Sequence, residues 1–237
     1  MHNLGSLISG HAKKRPKAPA LIYGKKVYSY VEFEERCCTV ASNLAGLGIG
    51  QGDRVAIWLP NVPAWLELFL ACTKLGAVAV AVNTRFRSSE VGDLLKRSGA
   101  KLLVFWPTFK GINFTNILSE IDTGFLTTLK TVISYSEGTE TQIKSVNGLP
   151  SYDYETLLQH KKRARDRAGL ESGCIIFTTS GTTKTPKLVL HGQKGVSQHV
   201  SDVALRLSFD QPEATLLQVI PFCGVFGFSQ ALAALAG

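Results

Sequence analysis

The stretch GDRVAIWLPN (Gly52–Asn61), followed at residues 77–82 by AVAVAV, decides the architecture. Val55 to Leu59 is short and almost wholly apolar, as a strand is when both faces of its sheet are covered. AVAVAV reads as a second strand of the same kind. Between them, Trp65, Leu66, Phe69 and Leu70 lie on a helical repeat that Gly76 terminates. Asn61 is placed to cap that helix. A buried strand, a helix and a second buried strand form a βαβ unit, which implies parallel strands and a right-handed crossover.

Working outward, the same alternation continues. Ser88 or Ser89 opens a helix through Leu94 and Leu95 that ends near Gly99, and Leu102 to Phe105 makes a third strand. On the other side, Leu21–Tyr23 and Val27–Tyr28 flank the turn Gly24-Lys25-Lys26 as a hairpin. Ser29 and Glu32 then stand at capping-box spacing before a helix whose face includes Val31, Cys38, Leu44 and Leu47, ending at Gly48. The fold class expected is α/β, a mainly parallel sheet with helices on both faces. From Trp106 onward the pattern weakens. A helix near Ile112–Ile121 and a strand near Thr131–Tyr135 are expected, and EGTETQIKSVNGLP (137–150) reads as a polar surface loop. Gly195–Leu207 looks helical, Leu216–Ile220 reads as a further strand, and SQALAALAG (229–237) as an apolar helix. An ending on an apolar helix without a polar cap reads as an incomplete domain.

Composition narrows the function classes. Apolar residues make up 45% of the 237, so a core can form and wholesale disorder is excluded. The net charge of +8 suits anionic partners without choosing among nucleotide, nucleic acid and membrane surface. The basic run HKKRARDR (160–167) has no aromatic residues interleaved to stack bases and no RNP-type motif accompanies it, so it reads as a solvated connector and no nucleic-acid partner is expected. Cys37, Cys38, Cys72, Cys174 and Cys223 are odd in number and lack a C-x-x-C pair. They read as buried free thiols of a reducing compartment, without a disulfide framework or zinc site. Neither a signal-peptide apolar region nor a membrane-length apolar run occurs, so the expected location is cytoplasmic and no transmembrane segment is expected.

The chemistry is concentrated in CIIFTTSGTTKTPKLVLH (Cys174–His191). A short apolar strand leads into Thr178, Thr179, Ser180, Thr182, Thr183 and Thr185, with Gly181 among them and Lys184 and Lys187 following. A loop leaving the carboxyl end of a parallel strand is where α/β proteins bind ligands. Glycine allows close approach of an anion, hydroxyls and backbone N–H groups donate to phosphate oxygens, and lysine adds a charge-assisted bond. The loop is not a Walker A motif, because Gly181 has no second glycine at the required offset. A polyphosphate cradle and a plain threonine-rich turn are the two readings that composition leaves open.

TTSGTTKTPKLV resembles the phosphate-binding signature of the adenylate-forming, AMP-binding enzymes, [YF]-T-S-G-T-T-G-x-P-K-G. Thr179, Ser180, Gly181, Thr182, Thr183, Pro186 and Lys187 match it in order and spacing. Residues 28–91 are similar to the same family's N-terminal region: Tyr30 with Glu32 and Phe33, Gly52–Ala56, Pro60-Asn61, Lys74–Ala77, and Asn83 with Arg85 all have counterparts. The resemblance implies the N-terminal part of the synthetase fold over residues 1–237, with the C-terminal domain absent. It implies an acyl-CoA synthetase-like ligase that activates a carboxylic acid with ATP and Mg2+ through an acyl-adenylate, then transfers the acyl group to coenzyme A; family frequency points to fatty acid metabolism. Thr179, Ser180, Gly181, Thr182, Thr183 and Lys187 would hold the departing phosphates, and Thr179 would also touch magnesium. The alternative is a non-catalytic remnant that binds nucleotide phosphate weakly or not at all. Catalytic residues are not assigned, because the family's catalytic lysine lies in the absent region.

Three positions depart from the pattern. Lys184 and Leu188 stand where the family has glycines, which would strain the backbone if either needs a positive φ. PFCGVFGF (221–228) is similar to the later P-[LF]-F-H-x-x-G segment, with Gly224 in place of its histidine. His191 matches a frequent family histidine and reads as a packing residue at a strand end. The acid and the oligomeric state are not legible.

Overall fold

The computed structural model describes residues 3–138, 143, 145–159, 168–179, 186–211 and 213–237. Strands β1 (Pro19–Tyr23) and β2 (Lys26–Ser29) form a separate antiparallel hairpin turned at Gly24, whose φ is +57°. Helices α1 (Ser9–Lys14) and α2 (Tyr30–Gly46) flank it. At the start of α2 the Glu32 backbone N–H donates to Ser29 Oγ, and the Ser29 N–H donates to the Glu32 carboxylate, so the expected capping box is complete. The helix stops at Gly46, two residues before Gly48, whose φ is +80°.

The βαβ unit is β3 (Arg54–Trp58), α3 (Pro63–Leu75) and β4 (Val78–Ala81), with Gly76 closing α3 in the left-handed region at φ +72°. Helix α4 (Ser88–Ser98), closed by Gly99 at φ +62°, leads to β5 (Leu102–Phe105). The two-residue strands β6 (Thr108–Phe109) and β7 (Ile112–Asn113) form a small ribbon before α5 (Phe114–Ser119) and β8 (Thr131–Ser134). Then come β9 (Ser145–Val146), β10 (Leu149–Asp153), β11 (Gly173–Thr179), β12 (Lys187–Gly192), α6 (Gln193–Arg206) and α7 (Val225–Ala236).

The main sheet has the order β12-β11-β4-β3-β5-β8-β10-β9. Its six inner strands are parallel, and β12 and β9 join as antiparallel edges. Alternate residues of each inner strand face opposite layers. Val55, Ile57, Ala79 and Val104 pack in the core shared with α2, α3, α6 and α7, whereas Ala56, Trp58, Val80 and Phe105 pack in the core shared with α4 and α5. Helices thus cover both faces, as the apolar strands require.

Three expectations are corrected. Asn61 does not cap α3: the N-cap is Val62, and Pro63 occupies the first helical turn, where its missing N–H costs nothing. Of the loop expected at 137–150, residues 139–142 and 144 lie outside the described residues, and 145–150 are not loop; β9 and β10 form a hairpin across Asn147 (φ +50°) and Gly148 (φ +76°), the Asn-Gly turn that suits strand twist, and β10 then joins the main sheet beside β8. Leu216–Ile220 is not a strand; Leu217 and Val219 are exposed, and no sheet edge among the described residues pairs with them. The HKKRARDR run lies outside the described residues.

Candidate functional site at the carboxyl edge of the sheet

Strands β3, β4 and β11 are neighbours running the same way, so their carboxyl ends open onto one edge. Strand β11 carries Thr178 and Thr179 out to that edge, and β12 returns antiparallel. The register places Thr179 opposite Lys187 and Thr178 opposite Leu188. Thr179 and Lys187 are both exposed. The two ends of the signature loop are therefore fixed side by side, with a hydroxyl and an ammonium group at its root. Ser180, Gly181, Thr182, Thr183 and Lys184 lie outside the described residues.

Leu188 is an ordinary strand residue. It pairs with Thr178, does not have a positive φ, and packs against the core beneath α4 and α5. The strain expected of a side chain at 188 is absent. Arg97, on the last turn of α4, donates from Nη1 to the Pro186 carbonyl at 2.8 Å and to the Asp93 carboxylate at 2.8 Å. It ties the loop's return strand to the helix. Beside it is a cavity of about 230 Å³, whose lining includes Phe86, Glu90, Asp93, Arg97, Thr178 and Pro186. Glu90 accepts a hydrogen bond from the Arg87 backbone N–H, which holds its carboxyl below the usual range. Arg97 was not singled out from the sequence; its Asp93 partner at i−4 on a helix was the signal available.

The second wall is the PFCG turn. The Phe222 N–H donates to Asn61 Oδ1 at 2.9 Å, and Asn61 Nδ2 donates to the Ile220 carbonyl at 2.9 Å. Asn61, at the end of β3, thus clamps this turn rather than a helix. Gly227 is required beneath it, since a Cβ there would lie 2.5 Å from the Pro221 carbonyl oxygen and 2.6 Å from that of Ile220. Gly224 precedes α7 at an ordinary φ of −111°, and a Cβ would be 3.7 Å from its nearest neighbour, so a side chain fits there. An aromatic floor supports the turn: Trp65 lies 5.4 Å from Phe222 and 6.0 Å from Phe228, and Phe228 lies 5.3 Å from Phe177 of β11. His191 packs edge-on to Phe177 at 5.7 Å, a strand-end packing role. Burial pushes the Cys174 thiol up to about 12 and the Cys223 thiol upward, so both stay protonated at neutral pH and neither is a ready nucleophile.

No cluster of three or more His, Cys, Asp or Glu side chains able to hold a metal occurs among the described residues. What the edge presents is a hydroxyl, an ammonium group and a loop return anchored by a guanidinium. That donor set fits a polyphosphate whose own oxygens would carry a magnesium ion.

A mainly parallel α/β sheet with helices on both faces places the chain in the class of open-sheet α/β proteins, whose ligand sites open at the carboxyl edge of the strands. More narrowly, residues 8–237 match the family described as "AMP-binding enzyme", and the chain belongs to that family. It is 30% identical over 246 aligned residues to the acyl-CoA synthetase-like protein YngI of Bacillus subtilis (strain 168), covering 94% of this chain and 43% of the relative. It is 26% identical to a mitochondrial medium-chain acyl-CoA ligase of Macaca fascicularis, covering 92% of this chain and 37% of the relative. Among solved structures, acetoacetyl-CoA synthetase from Streptomyces lividans superposes with a TM-score of 0.83 at 24% identity, covering 99% of this chain and 37% of that one. An anthranilate CoA ligase solved with anthranoyl-AMP superposes with a TM-score of 0.77 at 20% identity, covering 99% and 43%. The structural likenesses show the fold. The chain spans less than half the length of these relatives.

Proposed function

We propose that this chain is the N-terminal part of an ATP-dependent acid–CoA ligase, and that residues 179–187 hold the phosphates that depart when a carboxylic acid is converted to its acyl-adenylate. The observation that carries this reading is the pairing of Thr179 with Lys187 across the mouth of the signature loop. The carboxylate attacks the α-phosphorus, the bond to the bridging oxygen breaks, and pyrophosphate leaves with the electron pair. Negative charge grows on the leaving group, and donors already in place lower the barrier because they need no reorganisation. Thr179, Ser180, Gly181, Thr182 and Thr183 supply hydroxyl and backbone donors, and Lys187 supplies the cation. Magnesium, near Thr179, would neutralise further phosphate charge. Transfer of the acyl group to the thiol of coenzyme A completes the reaction.

The family's adenine and ribose contacts and its mobile C-terminal domain fall beyond the matched length, so the 237-residue chain alone is expected to form little acyl-adenylate. The test is exchange of labelled pyrophosphate into ATP with a panel of short-chain, fatty and aromatic acids. It is run on the protein isolated from its natural source, whose intact mass is measured alongside, and on the 237-residue chain. Acid-dependent exchange by the natural protein that drops about 10- to 100-fold in Lys187→Ala, the loss of one charged hydrogen bond, is the expected result. Absence of exchange with every acid would overturn the ligase reading in favour of a non-catalytic relative. Exchange by the 237-residue chain near the rate of a complete synthetase would show that the missing contacts are not needed.

A further inference from the structure

The chain's positive charge is unevenly placed. Residues 1–31 contain Lys13, Lys14, Arg15, Lys17, Lys25 and Lys26 and no Asp or Glu, so they contribute six of the net +8 charges. All six side chains belong to exposed residues. Arg15 is engaged, donating to Tyr30 Oη at 3.2 Å and to the Gly237 carbonyl at 2.8 Å while lying over the Tyr30 ring. The five lysines form no salt bridge among the described residues. They are not scattered. The Ala18 N–H donates to the Arg15 carbonyl, the Tyr30 N–H to the Ala18 carbonyl and the Val31 N–H to the Pro16 carbonyl, so the basic segment is pinned to the base of the β1–β2 hairpin. Lys25 and Lys26 sit at its tip.

The hairpin's two faces differ. Tyr28 points inward, buried, and lies 6.4 Å from Phe33 of α2. On the opposite face Ile22 and Val27 are register partners, and they are 59% and 53% exposed. A strand pair packed on one side ordinarily carries polar residues on the other. This one carries two β-branched apolar side chains directly opposite each other, with Lys25 in the adjoining turn; Lys26 lies on the inner face, its Nζ 4.6 Å from the centroid of the Tyr28 ring. The acidic groups nearby face elsewhere or are engaged: Glu32 caps α2, and Glu137 accepts from Tyr135 Oη.

We propose that the outer face of this hairpin, with the basic segment that feeds it, is a docking surface for an anionic lipid bilayer. Ile22 and Val27 enter the boundary between headgroups and acyl chains, and Lys13, Lys14, Lys17 and Lys25 meet anionic headgroups. Charge complementarity selects this surface over the other exposed apolar stretch. Residues 207–237 expose Leu217, Val219 and Phe226 but contain no lysine or arginine, and they carry Asp210 and Glu213.

The test is co-sedimentation of the 237-residue chain with vesicles of phosphatidylcholine alone or with about one-third phosphatidylserine, at low and physiological salt. The expected result is salt-sensitive binding to the anionic vesicles that falls about fivefold in Lys25→Gln. The double variant Ile22→Ser, Val27→Ser loses binding too, with circular dichroism and melting temperature unchanged. Equal binding to neutral vesicles, lost on Leu217→Ser with Val219→Ser, would overturn the proposal by assigning binding to the other patch. Unaltered binding in both hairpin variants would do the same. Tight binding of a short oligonucleotide that depends on the lysines but not on Ile22 and Val27, with weak vesicle binding, would assign the face to nucleic acid instead. A sedimentation coefficient that falls only when Ile22 and Val27 are replaced, without vesicle binding, would assign it to a second copy of the chain.

Discussion

Asn61 clamps the PFCG turn at the carboxyl edge of the sheet. Its amide satisfies one N–H and one carbonyl of the PFCG turn at once. Replacement by alanine takes the acceptor from the Phe222 N–H in a half-buried setting, at a cost of about 1–3 kcal/mol, while the Ile220 carbonyl keeps the hydrogen bond from Gln218 Nε2. Asn61→Ala is therefore expected to lower the urea midpoint, while Asn61→Asp retains the acceptor for the Phe222 N–H and loses less. Equal midpoints for the alanine variant and the parent would show that the turn holds by other means. At this scale the sequence exposed residue types more readily than partners. A lone Asn after a strand and before a helix signals a cap, and local spacing carries no trace of a partner some 160 positions away. The glycine at 227 was visible as a motif position, but its reason, two carbonyl oxygens within van der Waals exclusion, is visible only in three dimensions. Thr179 and Lys187 were named together from the motif; that they are direct register partners follows from β12 being antiparallel.

At the scale of elements, legibility tracked burial. Strands β3, β4 and β5 are covered on both sides, so their apolar runs were unmistakable, while α2 announced itself by its capping box and α3 and α4 by their terminal glycines. The β9–β10 hairpin was missed because its strands are short and partly polar, although Asn147-Gly148 marked the turn. The opposite error at Leu216–Ile220 has a plain cause: an apolar alternating run needs an edge to pair with, and sequence does not show whether one is free. One element contact gives a pH prediction. Helix α1 is tied to the end of α7 by His11, whose Nε2 meets the Ala236 carbonyl at 2.9 Å and whose Nδ1 accepts from Arg15 Nε at 3.0 Å. These two bonds fix a neutral imidazole. Desolvation by burial, opposed by the Ala236 carbonyl and reinforced by Arg15 and Lys14, holds its pKa below the ordinary 6.5. The unfolded chain therefore takes up the proton first as the pH falls. The contribution of neutral His11 to stability is complete above about 6.5 and is lost as the pH drops through the folded-state pKa. His11→Gln is expected to flatten the decline of the unfolding midpoint just below pH 6.5; a decline of unchanged slope would show that other groups govern it.

The whole molecule combines a well-formed double-faced core with an apolar segment open to water. Leu205, Leu207, Leu217, Val219, Val225 and Phe226 are all exposed within residues 205–226, and Leu217 is 84% exposed. Apolar side chains crowded this closely on a surface mark a contact site, because covering them removes ordered water at about 25 cal/mol per Å². The core itself is well filled. Trp65, Phe69 and Phe228 are fully enclosed, and β4, β5 and α3 present buried residues throughout. Association is therefore expected without unfolding. Analytical ultracentrifugation across micromolar concentrations should show the chain self-associating while its circular dichroism stays constant. Leu217→Ser combined with Val219→Ser should shift it toward monomer, with little change in melting temperature because neither side chain is packed. A concentration-independent monomer in the parent chain would show that this surface is not a contact between copies of the chain.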